Sequence, residues 1–169
     1  MAAALLVART DSAEAGLEVA SAGLLYDDRP ASEGARAWAQ RVGLDLETHR
    51  SRIIDRAGVA AADLVLGMEP RHVREVVALD DTAWPRTFTL REFAGRCQAA
   101  TPREPEQEWH DWLAHIGRDR RRADLLGDDP DLTIADPYRA GPEVYDTTAA
   151  QIVAALRSIV PTAMNLRFA

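Results

Sequence analysis

The chain has 169 residues, 47% of them hydrophobic and 28% charged, and this length and composition predict one globular domain over residues 1–169. Its net charge of −7 argues against a nucleic-acid-binding protein, and its single cysteine excludes a disulfide framework or a cysteine zinc cluster. The sequence has no secretory signal and no run of about 20 apolar residues, so we expect a cytoplasmic protein that does not enter a membrane.

The first half of the chain is predicted to hold three helices and one strand. The predicted helices cover residues 2–15, 33–42 and 50–56, and the predicted strand covers residues 17–22. Gly16 follows the Ala- and Leu-rich first helix, as a glycine often does just past a helix end. Ser32 and Thr48 are the expected N-caps of the next two helices, because their hydroxyl oxygens can accept from free backbone N–H groups.

The second half alternates between short apolar strands and helices. Strands are predicted at residues 63–68 and 87–90, and helices at residues 106–122 and from Pro70 and Pro142 onward. Residues 63–68 are almost continuously apolar, as expected of a strand covered on both faces. Alternating strands and helices predict an α/β domain in three layers, with a short parallel sheet flanked by helices.

Several short segments occur in the order and spacing of a known family. They are VASAG at 19–23, RPAS at 29–32, VGLDL at 42–46 with HRSR at 49–52, ADLVL at 62–66 with ME at 68–69 and His72, FTLREF at 88–93, and IADP at 134–137 with Tyr145 beyond it. Each segment is unspecific alone, but together they span almost the whole chain, which therefore resembles the low-molecular-weight protein tyrosine phosphatase family.

The resemblance implies a hydrolase that acts on phosphotyrosine proteins or small aryl phosphates and uses neither a metal nor an organic cofactor. In this family a cysteine thiolate in a Cys-x5-Arg loop attacks phosphorus, while backbone N–H groups and the arginine bind the phosphoryl oxygens. The Asp of an Asp-Pro pair protonates the leaving phenolate, which implies that Asp136 is the general acid. By the same resemblance, Tyr138 lines the substrate pocket, and His72 and Ser21 support the catalytic loop.

Each of these four residues also has a plain structural interpretation. An Asp-Pro pair commonly starts a turn, and Tyr138 fits an exposed loop as well as a pocket. Arg139 stands where the family often has a second aromatic residue. His72 fits a helix surface, and Ser21 fits an ordinary strand position. The histidines are not spaced as ligands on one helical face, so no metal site is predicted.

The family's first strand and phosphate-binding loop have no counterpart, because residue 1 aligns with the helix that follows the loop. We therefore expect the chain as given to be inactive. Two explanations are open: an internal methionine taken as the start of a longer gene, or a pseudophosphatase that serves as a binding or regulatory module. The absent strand is interior in the family's sheet, so its neighbours would be left about 10 Å apart with unpaired backbone groups, and self-association through them is expected.

One segment, residues 97–103, reproduces the Cys-x5-Arg spacing by itself. It follows a predicted helix rather than a strand, lacks glycine, and contains Pro102, which has no N–H group to offer a phosphate. We therefore expect Cys97 to be an ordinary free thiol. A lone cysteine also cannot perform the thiol relay of an arsenate reductase on the same fold.

Overall fold

The computed structural model describes residues 1–10 and 16–168 and shows a short parallel sheet flanked by helices. The strands are β1 (Val65–Gly67) and β2 (Thr87–Thr89). The α-helices are α1 (Ala2–Ala8), α2 (Glu33–Arg41), α3 (Arg56–Ala61), α4 (Pro70–Leu79), α5 (Leu90–Ala99), α6 (Trp109–Ile116) and α7 (Pro142–Ile159). Short 3-10 turns cover Asp81–Arg86, Arg122–Leu125 and Pro130–Leu132, and a π-helical turn, Val160–Met164, follows α7. None of the helices in this part of the chain is long and apolar enough to cross a bilayer.

The two strands confirm the predicted parallel α/β arrangement. They pair with Leu66 opposite Phe88, and a crossover through α4 joins them. All three residues of β2 are fully buried, whereas those of β1 are only partly buried. Among the described residues, β1 is hydrogen-bonded to a strand on one side only, which leaves its other edge open.

The core lies between α7 and its neighbours, chiefly α5. As predicted, α7 begins with Pro142 and buries a stripe of apolar residues, including Ile152 and Ile159, at helical spacing. These side chains share one cluster with Phe93 and Cys97 of α5. The predicted cap of α2 is also confirmed, since Ser32 Oγ accepts from the backbone N–H three residues ahead at 3.3 Å.

The first predicted helix is shorter than expected. Regular helix ends at Ala8, where the Arg9 N–H group is shared between the carbonyls of Leu5 and Leu6. The Thr10 hydroxyl also donates to the Leu6 carbonyl at 2.7 Å and so competes for a helical acceptor. The last part of the predicted range, residues 11–15, lies outside the described residues.

The strand predicted at residues 17–22 is wrong. This segment is irregular, and the chain forms only a single parallel bridge just after it, between Gly23 and Ile53. A strand requires a hydrogen-bonded neighbour, and no ladder forms beside this segment within the described residues. The sequence pattern of residues 17–22 therefore predicted a more regular backbone than this segment has.

Two further helices differ from the predictions. The short helix expected after Thr48 does not form there, because Arg50 pairs in an antiparallel bridge with Pro30. The helix begins later, at Arg56, and Asp55 caps it by accepting from a backbone N–H at 2.7 Å. The helix expected over residues 106–122 is reduced to α6, which Gly117 terminates.

Arginine side chains stabilise several loops by donating hydrogen bonds to backbone carbonyls. The Arg74 guanidinium reaches the carbonyls of Leu125 and Gly127 at 2.5 and 2.9 Å. The Arg103 guanidinium reaches the carbonyls of Gln107 and Ala163 at 2.6 and 3.0 Å. Loops without regular structure thereby obtain partners for carbonyl groups that no helix or strand satisfies.

The most buried of these arginines is Arg120, whose side chain is only 3% exposed. Its guanidinium lies 4.0 Å from the centre of the Trp84 ring and 3.9 Å from that of Phe88. It also donates to the Thr87 carbonyl at 2.6 Å and to Glu92 Oε1 at 2.7 Å. This side chain therefore joins the loop after α6 to β2 and α5.

Candidate active site

The carboxyl end of β1 brings together several residues that the sequence singles out. After Gly67 the chain passes through Met68 and Glu69 and enters α4 at Pro70. The Met68 carbonyl accepts from the Ile134 N–H group at 2.8 Å, so the segment that leads to Asp136 lies against this end of the strand. In parallel α/β sheets, ligands bind at the carboxyl ends of the strands. Asp136 is therefore placed on the side of the sheet where such a site is expected.

Asp136 is an exposed residue in a fixed turn. Its Oδ1 accepts from the Tyr138 N–H at 3.0 Å, and the intervening Pro137 is buried. On the other side, the Ala135 carbonyl accepts from the hydroxyl of Thr148 in α7 at 3.3 Å. The carboxyl group is thus open to solvent while the backbone on both sides of it is held, a combination that suits proton donation to a bound ligand.

Tyr138 follows in the same turn and is 55% exposed. The Arg139 guanidinium lies 5.2 Å from the centre of its ring, and Arg139 itself adopts a left-handed backbone conformation with φ of 64°. The aromatic face is therefore available for contact on one side and covered by a cation on the other. Where the family often has a second aromatic residue, this chain presents a positive charge beside the phenol ring.

The structure separates the other two predicted residues. His72 lies on α4 beside the end of β1, where its Nδ1 accepts from the Met68 N–H at 3.2 Å. Ser21 is exposed and lines a cleft of about 350 Å³ formed by the N-terminal residues, the start of α2 and the segment before α3. The histidine that shares this cleft with Ser21 is His49, which belongs to the HRSR segment and for which the sequence predicts no role.

The cleft that contains Ser21 has a composition suited to an anion. Its polar side chains are those of Ser21, Ser32, His49, Ser51 and Arg52, and the remaining lining residues are apolar. None of the lining residues is acidic, although the chain as a whole carries a net charge of −7. The Arg52 guanidinium has no hydrogen bond or ion pair within the described part of the chain, so it is free to bind a ligand oxygen.

A smaller hollow of about 210 Å³ lies between this cleft and α4. It is mostly apolar and includes Leu25 and Ile53, both of which are exposed, together with Arg71 beside His72. An exposed apolar surface next to a cleft that carries serine, histidine and arginine side chains suits a ligand with both an apolar and a charged part. The described residues contain no cluster of His, Cys, Asp or Glu that could hold a metal ion.

Cys97 lies away from these features, in the last turn of α5. It is buried, and loss of solvent raises the pKa of its thiol to about 12. The arginine six residues later, Arg103, is occupied by backbone carbonyls and stacks 4.9 Å from the centre of the Trp109 ring. The segment therefore has neither the thiolate nor the free guanidinium that a phosphate-binding loop requires.

The sequence profile of the family described as low molecular weight phosphotyrosine protein phosphatase matches residues 1–116 of the chain. The chain belongs to this family. No curated protein sequence matches the chain significantly. Among solved structures, the low molecular weight protein tyrosine phosphatase from T. tengcongensis is 24% identical with a TM-score of 0.66, and the alignment covers 94% of this chain and 86% of that one.

Two other solved structures with this fold are an arginine phosphatase and a second tyrosine phosphatase. The YwlE arginine phosphatase from Geobacillus stearothermophilus is 24% identical with a TM-score of 0.64, over 94% of this chain and 79% of that one. The tyrosine phosphatase Wzb from Escherichia coli K30, solved in complex with sulphate, is 23% identical with a TM-score of 0.61, over 92% and 83% of the two chains. At these identities the likeness establishes the phosphatase fold, and it confirms the fold class predicted from the sequence.

Proposed function

We propose that residues 1–169 form one domain. This domain carries the part of a phosphomonoester hydrolase site that protonates the leaving group, and the substrates are phosphotyrosine or small aryl phosphates. The observation that carries the proposal is the position of Asp136, exposed in a turn held at the carboxyl end of β1. In this proposal Asp136 is the general acid and Tyr138 contacts the aryl ring. Ser21 and His72 support the phosphate-binding loop, as the family resemblance implies. The reaction requires neither a metal nor an organic cofactor.

The proposed reaction transfers a phosphoryl group from an aryl oxygen to a thiolate. A sulfur–phosphorus bond forms while the bond between phosphorus and the aryl oxygen breaks. The electron pair of that bond remains on the aryl oxygen, which takes the carboxylic proton of Asp136 and leaves as a phenol. Water then attacks phosphorus and releases inorganic phosphate and the thiolate.

The thiolate is the part of this reaction that the 169 residues do not supply. The sequence has one cysteine, and burial of Cys97 keeps its thiol protonated. Hydrolysis therefore requires a Cys-x5-Arg loop that is not part of this sequence, and the 169-residue chain alone is expected to be inactive.

A second candidate function is phosphate recognition without cleavage, as in a pseudophosphatase that acts as a binding or regulatory module. The cleft with Arg52, His49 and three serine hydroxyls favours this alternative, because it offers hydrogen-bond donors to an oxyanion and contains no carboxylate to repel it. A phosphotyrosine peptide would bind through its phosphate and leave unchanged.

Complementation with a peptide separates the two functions. The purified chain is assayed for hydrolysis of para-nitrophenyl phosphate alone and with a synthetic peptide that contains a strand followed by a Cys-x5-Arg loop of the kind that the family resemblance implies. The control peptide has Ser in place of that Cys. The enzyme proposal predicts turnover with the Cys peptide only, lowered about a hundredfold or more by Asp136→Asn, as expected for loss of a general acid. The matched control, Asp131→Asn, alters another exposed carboxylate and is expected to leave turnover unchanged.

Two other outcomes would contradict the enzyme proposal, and the first requires a peptide-binding measurement beside the hydrolysis assay. Binding of a phosphotyrosine peptide that Arg52→Ala abolishes, with no turnover in any mixture, would favour the binding module. Turnover by the chain alone that Cys97→Ser abolishes would contradict both interpretations and place the reaction at residues 97–103.

We also propose self-association through the open edge of β1, whose partly buried residues have no neighbouring strand on one side within the described residues. Backbone N–H and C=O groups at such an edge can pair with a strand from a second copy. Light scattering after size-exclusion chromatography is expected to give a mass above 18.5 kDa that increases with concentration. A monomeric mass at all concentrations, with a cooperative thermal transition, would contradict self-association.

A further inference from the structure

The turn between β1 and α4 is held from two directions at Met68. The Met68 N–H group donates to His72 Nδ1 at 3.2 Å, and the Met68 carbonyl accepts from the Ile134 N–H at 2.8 Å. His72 and Ile134 come from different parts of the chain and meet at this one residue. The imidazole therefore acts on the backbone that receives the segment leading to Asp136.

The tautomer of the neutral His72 ring follows from these contacts. Because Nδ1 accepts a hydrogen bond, the ring proton of the neutral imidazole must be on Nε2. Nε2 faces Glu69 Oε1 at 3.4 Å, so a carboxylate lies where that proton points. Glu69 thereby favours the tautomer in which Nδ1 is free to accept from Met68.

Packing at the end of the strand restricts the ring further. Gly67 has no side chain, and a Cβ placed on it would lie 2.8 Å from the Cβ of His72. The close approach lets α4 begin directly beside the last residue of β1. The Cβ of His72 thus lies close to the backbone of Gly67, and both ring nitrogens have polar partners.

We infer that His72 is a positioning residue for Asp136: it fixes Met68, whose carbonyl holds Ile134 two residues before the carboxyl group. The inference rests on the proposed acid role of Asp136. It differs from the role that the family resemblance implies for His72, which is support of the phosphate-binding loop. The Asp136 segment has a second support, since the Ala135 carbonyl accepts from Thr148, so loss of His72 loosens the segment without releasing it.

Amide hydrogen exchange measured by NMR tests this inference on the chain as it exists. In His72→Leu, the Met68 and Ile134 amides are expected to exchange about fivefold faster, the change that corresponds to loss of one hydrogen bond worth about 1 kcal/mol. His72→Asn should restore slow exchange, because the Asn side-chain oxygen can replace Nδ1 as acceptor. The control His110→Leu alters an exposed histidine of α6 and should leave both amides unchanged.

A second measurement requires no variant. The imidazole ¹⁵N shifts of wild-type His72, measured in the neutral form of the ring, should place the ring proton on Nε2. A proton on Nδ1, or unchanged exchange at Ile134 in a folded His72→Leu chain, would overturn the inference. Neither readout depends on turnover. Failure of Asp136→Asn to lower hydrolysis would therefore contradict the acid role and leave the link from His72 to Ile134 standing.

Discussion

The buried thiol of Cys97 allows a direct test of whether this chain contains a nucleophile. Burial in the core raises the pKa of Cys97 from 9.0, the value of an exposed thiol, to about 12. At pH 7.5 the reactive thiolate therefore falls from about 3 in 100 molecules to about 3 in 100,000. The neighbouring Arg96 does not reverse this effect, since its guanidinium is bound to Glu92 and Asp119.

The assay is alkylation with iodoacetamide at pH 7.5, followed by mass spectrometry. We expect the native chain to react at least about a thousandfold more slowly than the same chain unfolded in urea, because only the thiolate is alkylated. Glutathione in the same solution serves as the exposed-thiol control. Native and unfolded rates within about tenfold of each other would refute the reasoning, and Cys97 would then have to be reconsidered as a nucleophile.

Two further predictions concern the arginine contacts. Arg120→Met should lower the free energy of unfolding in urea by about 2 kcal/mol, because the carbonyls of Trp84 and Thr87 lose their donor while Glu92 keeps Arg96 as a partner. The exposed control Arg157→Met should stay within about 0.5 kcal/mol, and an equal loss in both would contradict the assignment. A hydrogen bond from Arg96 lowers the pKa of Asp119. The ionised carboxylate therefore stabilises the fold at pH values above the ordinary pKa of an aspartate, and this contribution is lost as the pH falls through the lowered pKa. Below about pH 4, wild-type stability should therefore fall more steeply than that of Asp119→Asn, and parallel urea-unfolding curves would contradict this.

Elements with strong local signals were predictable from the sequence. Pro142 and the apolar stripe after it define α7, and Pro70 marks the start of α4. Elements that depend on a distant partner were not predictable in this way. Residues 17–22 alternate like a strand, but pairing is a property of two segments, and in the structure only Gly23 finds a partner.

The same distinction between local signals and distant partners applies to the residues of the candidate site. An Asp-Pro pair is visible in the sequence, and it was the family resemblance that implied an acid role for Asp136. That Ile134 would pair with Met68 was not visible, because the two residues are far apart in the chain and carry no special side chain. The same reason hid His49, whose place beside Ser21 depends on how two loops fold together.

The arginine contacts to loop carbonyls have a chemical consequence. A guanidinium keeps its proton through the alkaline range, whereas a lysine amine loses it above about pH 10. The loops held by Arg74 and Arg103 should therefore stay fastened in strongly basic solution. Acetylation of lysine side chains cannot loosen them either, because the sequence contains no lysine. These loop contacts therefore contain no side-chain amine that base could deprotonate or that an acylating reagent could modify.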